Sequence, residues 1–443
     1  MDNARRTAVK VLNEILQKGA FSNIVLGKEL NRSNLNDKDR ALATEIVYGT
    51  LKYKYTIDTM LNYFIKSDLE KMDIDILNIL RISFYQMVYL DKIPEFAIVN
   101  EAVELAKRNS IKGSRLVNGV LRNYLRNKDV DYAKNIKSNM EVLSFKYSFP
   151  KWMVKLFINQ YGSECSERIL GGLNMVPGIT VRVNNLKIDY EEAWKQLEQN
   201  GYDIEEGKIC PEAIVITKGR NIEDNPLFVD GLITVQDESA MMVAPSMDLQ
   251  EEITVLDLCS APGGKTCHIA EIMNNTGEVF AFDIHASKLP LIKENAKRLG
   301  INNVNYDVLD ATRYEMKYKE KADRVLIDVP CSGLGIIRKK PEIKWNKNTN
   351  DTKELVEIQR KIMVNASKYV KPGGKLIYST CTLNKDENEE NIKWFIKNHS
   401  EFDMESLYFG EAENIIYHKE GCMTILPDKY MDGFFIAKMV KRR

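Results

Sequence analysis

Apolar residues recur at helical spacing through the first part of the chain. Ala8, Val11, Leu12, Ile15 and Leu16 repeat every three or four positions, and similar runs occupy Ile46 to Ile65, Ile74 to Leu90, Ile98 to Ala106 and Arg115 to Leu125. This spacing predicts an all-α bundle over 1–127. A polar stretch with many Asn and Lys residues follows, and 128–144 reads as a linker. The period then changes. Tyr147 to Ile169 is helical in pattern after Pro150, Thr180 to Asn185 alternates like a strand, Tyr190 to Gln199 is helical again, and Ala213 to Thr217 forms another short strand. A small α+β module is expected over 145–231. From 232 onward, hydrophobic strand-like runs at Ile253–Leu258, Val279–Asp283, Val304–Leu309, Arg324–Ile327 and Lys375–Tyr378 predict an α/β sheet. The segments 423–427 and 433–439 read as an antiparallel pair that finishes it.

Two cysteines follow two of these strands. Cys331 lies in Asp328-Val-Pro-Cys-Ser-Gly333 and Cys381 in Tyr378-Ser-Thr-Cys-Thr382, which places both at the carboxyl edge of one sheet, where open α/β sheets bind ligands. Zinc would need further ligands at short spacing, and none accompany these two; the four histidines are scattered, so no metal is expected. A redox pair would need Cys-x-x-Cys, which is absent. Burial as a small hydrophobe accounts for many single cysteines, but here the neighbouring strings carry chemistry of their own.

The first strand of the sheet runs into Cys259-Ser-Ala-Pro-Gly-Gly-Lys-Thr266 and then a helix. That arrangement brings backbone N–H groups and a helix N-terminus to a ligand. It is no P-loop, because the first glycine of that fingerprint would fall on Cys259. Nor is it the Gly-x-Gly-x-x-Gly of nicotinamide and flavin binders, since Pro262, Gly263 and Gly264 are wrongly spaced. A different nucleoside ligand remains. Asp283 closes the second strand, where a carboxylate holds ribose hydroxyls. Asp310 follows the third, placed for an adenine edge, and Asp328 ends the fourth, where it can face ligand and substrate alike. One such aspartate could be a turn cap; three on successive strands are harder to explain so.

Composition narrows the picture further. The 443 residues exceed one ordinary core, so two or three domains are expected. Lys+Arg and Asp+Glu are balanced at 63 each, so global charge gives no sign of nucleic acid. Local charge is more informative: Lys107, Arg108, Lys112, Arg115, Arg122, Arg126 and Lys128 occur with no acidic residue between Leu105 and Lys128, a solvated helical face or, beside a nucleobase-modifying domain, an RNA phosphate track. Arg182, Asn184 and the string Arg338 to Trp345 are further candidates for RNA backbone contacts, and Lys265 and Lys375 for activating a thiol. Seven dispersed cysteines suggest no disulfide framework. With no signal-peptide core and no apolar run of membrane-spanning length, a cytoplasmic, reduced monomer is expected, without a membrane partner.

Residues 253–443 resemble the Sun-type S-adenosylmethionine-dependent RNA cytosine-carbon-5 methyltransferases. The resemblance rests on the strings 257–266, 328–333 and 378–382, with Lys371-Pro-Gly-Gly-Lys375 and Glu387-Asn-Glu-Glu-Asn391. Ser260 stands where that family more often has alanine. Carbon 5 of cytosine is a poor nucleophile until a thiolate adds at carbon 6, so the chemistry calls for a nucleophilic cysteine and a second acid/base group. The sequence alone leaves the two cysteine roles exchangeable; the resemblance implies Cys381 as nucleophile, Cys331 in product release, and Asp328 on the base's amine and ring nitrogen 3. It also implies S-adenosyl-L-methionine as cofactor, held by Cys259, Ser260, Ala261, Pro262, Gly263, Gly264, Lys265, Asp283, Asp310 and Asp328.

In the helical part, Asp39 to Glu45, Asn100 to Glu104 and Val117 to Arg122 resemble the NusB-like antitermination domain, which implies RNA or protein binding. The whole-chain combination is an N-terminal NusB-like bundle, a small α+β RNA-gripping module and a seven-stranded Rossmann-like catalytic domain over 232–443. It resembles most closely the branch of the family that methylates cytosine 967 of 16S ribosomal RNA, on the RNA itself or an early small-subunit precursor. Two alternatives remain open. One keeps the chemistry but acts on transfer RNA or another ribosomal site; the other is a non-catalytic antitermination or assembly factor.

Overall fold

The computed structural model describes residues 3–134 and 136–443. The chain divides into two compact units: residues up to Asn174 with the later segment Ile337–Asn348, and Met175–Ile336 with Thr349–Arg443.

The first unit is helical. Its elements are α1 (Ala4–Lys18), α2 (Ser22–Arg32), α3 (Asp37–Phe64), α4 (Ile74–Tyr89), α5 (Glu95–Asn109), α6 (Ile111–Arg126), α7 (Asn139–Tyr147) and α8 (Lys151–Gly172). Asn3, Asn36, Asp73 and Ser110 cap α1, α3, α4 and α6, each accepting a hydrogen bond from a backbone N–H of the first turn. The periodic residues form one core, in which Leu12, Ile15, Ile46, Leu51, Phe84 and Leu121 are buried. Gly49 lets α3 and α4 approach: a Cβ there would stand 1.9 Å from the Tyr85 ring. The expected linker 128–144 runs into α7, whose N-cap Ser138 accepts from the Glu141 N–H.

The second unit holds two sheets. In the smaller, β1 (Ile179–Val183), β2 (Asp203–Glu206), β3 (Ala213–Lys218) and β4 (Ile233–Val235) pair in the antiparallel order β2-β3-β1-β4. With them lie α9 (Tyr190–Gln199) and the short α10 (Pro226–Val229) and α11 (Glu238–Met241).

The larger sheet alternates with helices: β5 (Thr254–Asp257), α12 (Gly264–Ile272), β6 (Glu278–Asp283), α13 (Leu289–Leu299), β7 (Val304–Val308), β8 (Ala322–Asp328), then α15 (Thr349–Tyr369), β9 (Val370–Thr380) and α16 (Glu389–Asn398). The intervening short helix α14 (Ile343–Asn346) belongs to the helical unit. Strands β10 (Phe402–Glu405), β11 (Ile415–Tyr417), β12 (Met423–Ile425) and β13 (Phe434–Lys441) complete the sheet. Its order is β11-β12-β13-β9-β8-β5-β6-β7, with β10 also on β13. The seven expected strands form its body, and β10 and β11 are two short additions that bring the total to nine. Strands β5 to β9 are mutually parallel, so their carboxyl ends share one edge. Among the described residues no helix is long and apolar enough to cross a membrane.

Candidate active site

The shared carboxyl edge gathers the chemistry-bearing residues. Ladder pairing between β8 and β9 ends at Asp328 opposite Ser379, and the two loops beyond carry the cysteines. There the Sγ atoms of Cys331 and Cys381 lie 3.3 Å apart, and both side chains are only partly buried. The Cys331 thiol is pushed well above the ordinary value, first by its hydrogen bond to Cys381 and then by burial.

Asp328 is gripped on both oxygens: Lys265 Nζ is 2.7 Å from Oδ2, and Ser379 Oγ donates to Oδ1 at 2.7 Å. Burial works against the Lys265 charge. The adjacent Asp328 carboxylate, the hydrogen bond to it and the nearby Cys381 nonetheless hold the ammonium above the usual lysine range. Lysine, aspartate and the cysteine pair therefore form one cluster. Lys375 is not part of it. It sits midway along β9, opposite Arg324, and its ammonium pairs with Asp248 and with Glu405 at 2.7 Å. The sequence string placed it near the thiol; strand direction places it away.

The glycine turn lies one strand over. Ser260 N and Oγ both donate to Phe282 O at 2.8 Å, tying the turn to β6. Gly263 caps α12 at φ 102°, a left-handed conformation that favours glycine, with the Ile292 backbone 3.1 Å from where a Cβ would stand. Cys259, Ala261 and Pro262 complete the turn, and Gly264 and Lys265 open the helix. Below it, Thr266 Oγ1 donates to Asp257 Oδ2 at 2.7 Å, while Asp257 Oδ1 is buried with no hydrogen-bond partner. Burial raises the Asp257 carboxyl to about 7. A buried acceptor without a donor beside an open helix N-terminus fits a polar nucleoside ligand.

Asp283 ends β6, its Oδ1 accepting from His285 N at 2.8 Å. Asp310 lies just beyond β7. Its carboxylate accepts from Thr312 N and Oγ1 and pairs with Arg313 Nε at 3.2 Å, so the turn-cap role is present there. Among the described residues no group of three or more His, Cys, Asp or Glu side chains converges as a metal site.

Two expected RNA contacts are buried instead. Arg182 is fully enclosed, donating to Gln236 Oε1 at 2.8 Å and pairing with Glu271 on α12. Asn184 is equally enclosed and donates to Gly231 O and Leu299 O. They brace the small sheet against α12 and the end of α13. In the string 338–345, Lys344 and Trp345 are likewise spoken for: Lys344 Nζ donates to Lys52 O, Ser148 O and Asn174 Oδ1 at 3.1 Å, and Trp345 Nε1 to Leu51 O at 2.8 Å. Sequence reasoning gave no separate role to Ser379 or Gly335. A Cβ on Gly335 would stand 2.0 Å from Gly433 O and 2.8 Å from Cys381 O, so only glycine lets this loop reach the Cys381 backbone. Gly333 and Gly335, separated by Leu334 soon after Cys331, are the one signal for it.

Residues 244–440 match the family described as 16S rRNA methyltransferase RsmB/F, 2–126 match the NusB family, and 149–223 match the ferredoxin-like domain of RsmF/B-like methyltransferases. A probable ribosomal RNA small subunit methyltransferase B of Bacillus subtilis is 40% identical, over 99% of both chains. The chain belongs to the RsmB/F methyltransferase family. A probable ribosomal RNA small subunit methyltransferase B of Synechocystis is 34% identical over the full length of both. Among solved structures, PH0851 shares 28% identity over 98% of each chain with a TM-score of 0.83. A methyltransferase homologue from Pyrococcus horikoshii shares 29% identity over 69% of this chain and all of its own, with a TM-score of 0.61. The NusB-like bundle, the ferredoxin-like sheet and the Rossmann-like catalytic sheet are thus the three parts of an RsmB/F-type chain.

Proposed function

We propose that this chain methylates carbon 5 of a cytosine in 16S ribosomal RNA, cytosine 967, through a covalent adduct between Cys381 and carbon 6 of the base. The observation that carries the reading is the sulfur contact of Cys331 and Cys381 beside the Lys265–Asp328 pair. A lone thiol is only a few per cent thiolate at neutral pH. Here the Cys331 thiol touches the Cys381 sulfur and the Lys265–Asp328 pair adjoins them, so a second sulfur and a fixed carboxylate stand ready beside the nucleophile.

The residues then divide the work. Cys381 sulfur adds to carbon 6, forming a C–S bond and pushing electrons onto carbon 5. Asp328, fixed by Lys265 and Ser379, meets the exocyclic amine and ring nitrogen 3 and stabilises the charge that develops there. Bound S-adenosylmethionine supplies the electrophilic methyl. The turn 259–264 with Lys265, and Asp283, Asp310 and Asp328, would hold it, Asp283 at the ribose and Asp310 near the adenine. Cys331 acts in the release step, when the carbon 5 proton leaves and the C–S bond breaks. The likeness to relatives named small subunit methyltransferase B supports 16S RNA over transfer RNA as substrate.

The test is transfer of labelled methyl to unmodified 16S RNA by wild type, Cys381→Ala and Cys331→Ala, with mapping of 5-methylcytosine. Loss of transfer in Cys381→Ala and a trapped protein–RNA complex in Cys331→Ala are expected. Transfer surviving in Cys381→Ala would overturn the adduct; methylation of transfer RNA alone would overturn the substrate.

A further inference from the structure

The sheet does not itself fix the cysteine pair. The last ladder pair is Asp328 with Ser379, so Cys331 and Cys381 both lie on loops past the end of the hydrogen-bonded strands. Something else holds their sulfurs in contact. Behind them sits Glu387, fully buried, immediately before α16. One of its oxygens accepts from Ser332 Oγ at 2.5 Å and Asn384 Nδ2 at 3.1 Å; the other accepts from Ser332 N at 2.9 Å and Gln359 Nε2 at 3.0 Å. Ser332 directly follows Cys331, and Asn384 lies just after Cys381. A second link closes the loop, since the Ser332 and Thr382 hydroxyls are 2.7 Å apart.

We infer that Glu387 is the positioning residue of the cysteine pair: its carboxylate ties the Cys331 loop and the Cys381 loop to one buried point and so sets the distance between the two sulfurs. The inference rests on the adduct chemistry proposed above and deepens it. Four donors converge on this group, and only an acceptor-only side chain satisfies them all. A glutamine of the same size would turn its own N–H₂ toward at least one of those donors, leaving buried groups unpaired. The carboxylate charge also lies on the Cys331 side, adding to the hydrogen bond and burial that keep the proton on that sulfur. Lys265 lies on the Cys381 side. The geometry that sets the spacing thus also distinguishes the two cysteines.

The bland alternative is a brace that merely keeps the domain folded, and the experiment separates the two. Glu387→Gln and Ser332→Ala are made in the full chain and compared with wild type and Cys331→Ala for single-turnover methyl transfer, RNA KM, S-adenosylmethionine affinity and covalent protein–RNA species on denaturing gels. Misplacing a reacting group by about 1 Å can cost on the order of 100-fold. Glu387→Gln is therefore expected to lose roughly 10- to 100-fold in transfer rate, to accumulate covalent complex that wild type does not, and to leave KM and cofactor affinity nearly unchanged. Ser332→Ala, which keeps the carboxylate and its other partners, is expected to show a smaller change in the same direction. Wild-type rates in both variants would overturn the positioning role, as would a rate loss matched by equal loss of cofactor binding. Should Glu387→Gln fail to fold, an unchanged rate in Ser332→Ala would still overturn it. If Cys331→Ala traps a complex and the two positioning variants behave as wild type, only this inference falls; if Cys331→Ala traps none and Cys381→Ala retains activity, the adduct reading falls and takes the inference with it.

Discussion

Asp328 is the residue on which the proposed chemistry turns, because both its oxygens are committed before any substrate arrives. A carboxylate held between Lys265 and Ser379 cannot swing away when charge develops on the base, and such preorganised groups are commonly worth about 3–4 kcal/mol of transition-state stabilisation. Asp328→Asn is therefore expected to lower the transfer rate roughly 100- to 1000-fold with only a modest change in S-adenosylmethionine affinity; single-turnover kinetics beside calorimetric binding reads both, and a rate within tenfold of wild type would remove Asp328 from the chemistry. At this scale the sequence was informative where a residue type is rare at its position: two cysteines and three aspartates after strands stand out without any coordinates. Glu387 did not stand out. It entered only within the family-like string 387–391, with no role of its own, and the return of two loops onto it reveals a buried acceptor. Arg182 misled for the same reason, since its partner Glu271 is far along the chain.

Among elements, the periodic ones were legible and the strands β10 and β11 were not. The three- and four-residue strands β10 and β11 offer too little pattern to register, and they form because β12 and β13 present them with open edges. Helix α7 begins inside the expected linker, where Ser138 followed three positions later by Glu141 is a helix-start signature that outranks polar composition. Helix α12 shows what binds an element in place. It starts at the glycine turn and carries Glu271 against Arg182, and its buried His268 lies 3.2 Å from Glu212. Burial, and then the Arg182 charge, depress the His268 pKa to about 4. The sign follows directly. Below about 6.5 the unfolded chain binds a proton that native His268 refuses, so stability is complete above that pH and is lost as pH falls toward 4. The loss from this site approaches about 3 kcal/mol. Denaturant titrations at pH 7 and pH 5 are expected to show a steeper fall for wild type than for His268→Gln; equal falls would exclude His268 as the source.

For the molecule as a whole, the sequence order of domains conceals one excursion. The chain leaves the catalytic sheet after β8, lends Ile337–Asn348 to the helical unit, and returns as α15. Lys344 anchors this segment with three neutral acceptors and the Phe149 ring 3.6 Å away, so one cation of a string that looked like an RNA contact is spent on folding. A contiguous reading cannot find that, because basic residues next to a nucleobase site look alike whether they meet phosphate or carbonyl. With Arg182, Asn184 and Lys344 committed inside the fold, the exposed charge of α6 is the stronger candidate. Lys112, Arg115, Arg122 and Arg126 are all exposed on α6, while Val117, Val120, Leu121 and Tyr124 are buried. Steps of three, seven and four residues keep the four cations on one helix face, along about 21 Å of axis. Such a row suits a phosphate backbone, and each contact contributes a counterion-release term of about 0.7–0.9 to the salt slope of binding. Replacing Arg115, Arg122 and Arg126 together with Gln is expected to weaken 16S RNA binding at low salt and to reduce that slope by about 2–3, while the transfer rate at saturating RNA stays near wild type because no reacting group has moved. An unchanged slope would mean that α6 meets a protein or solvent, and RNA affinity would then have to come from the catalytic unit alone.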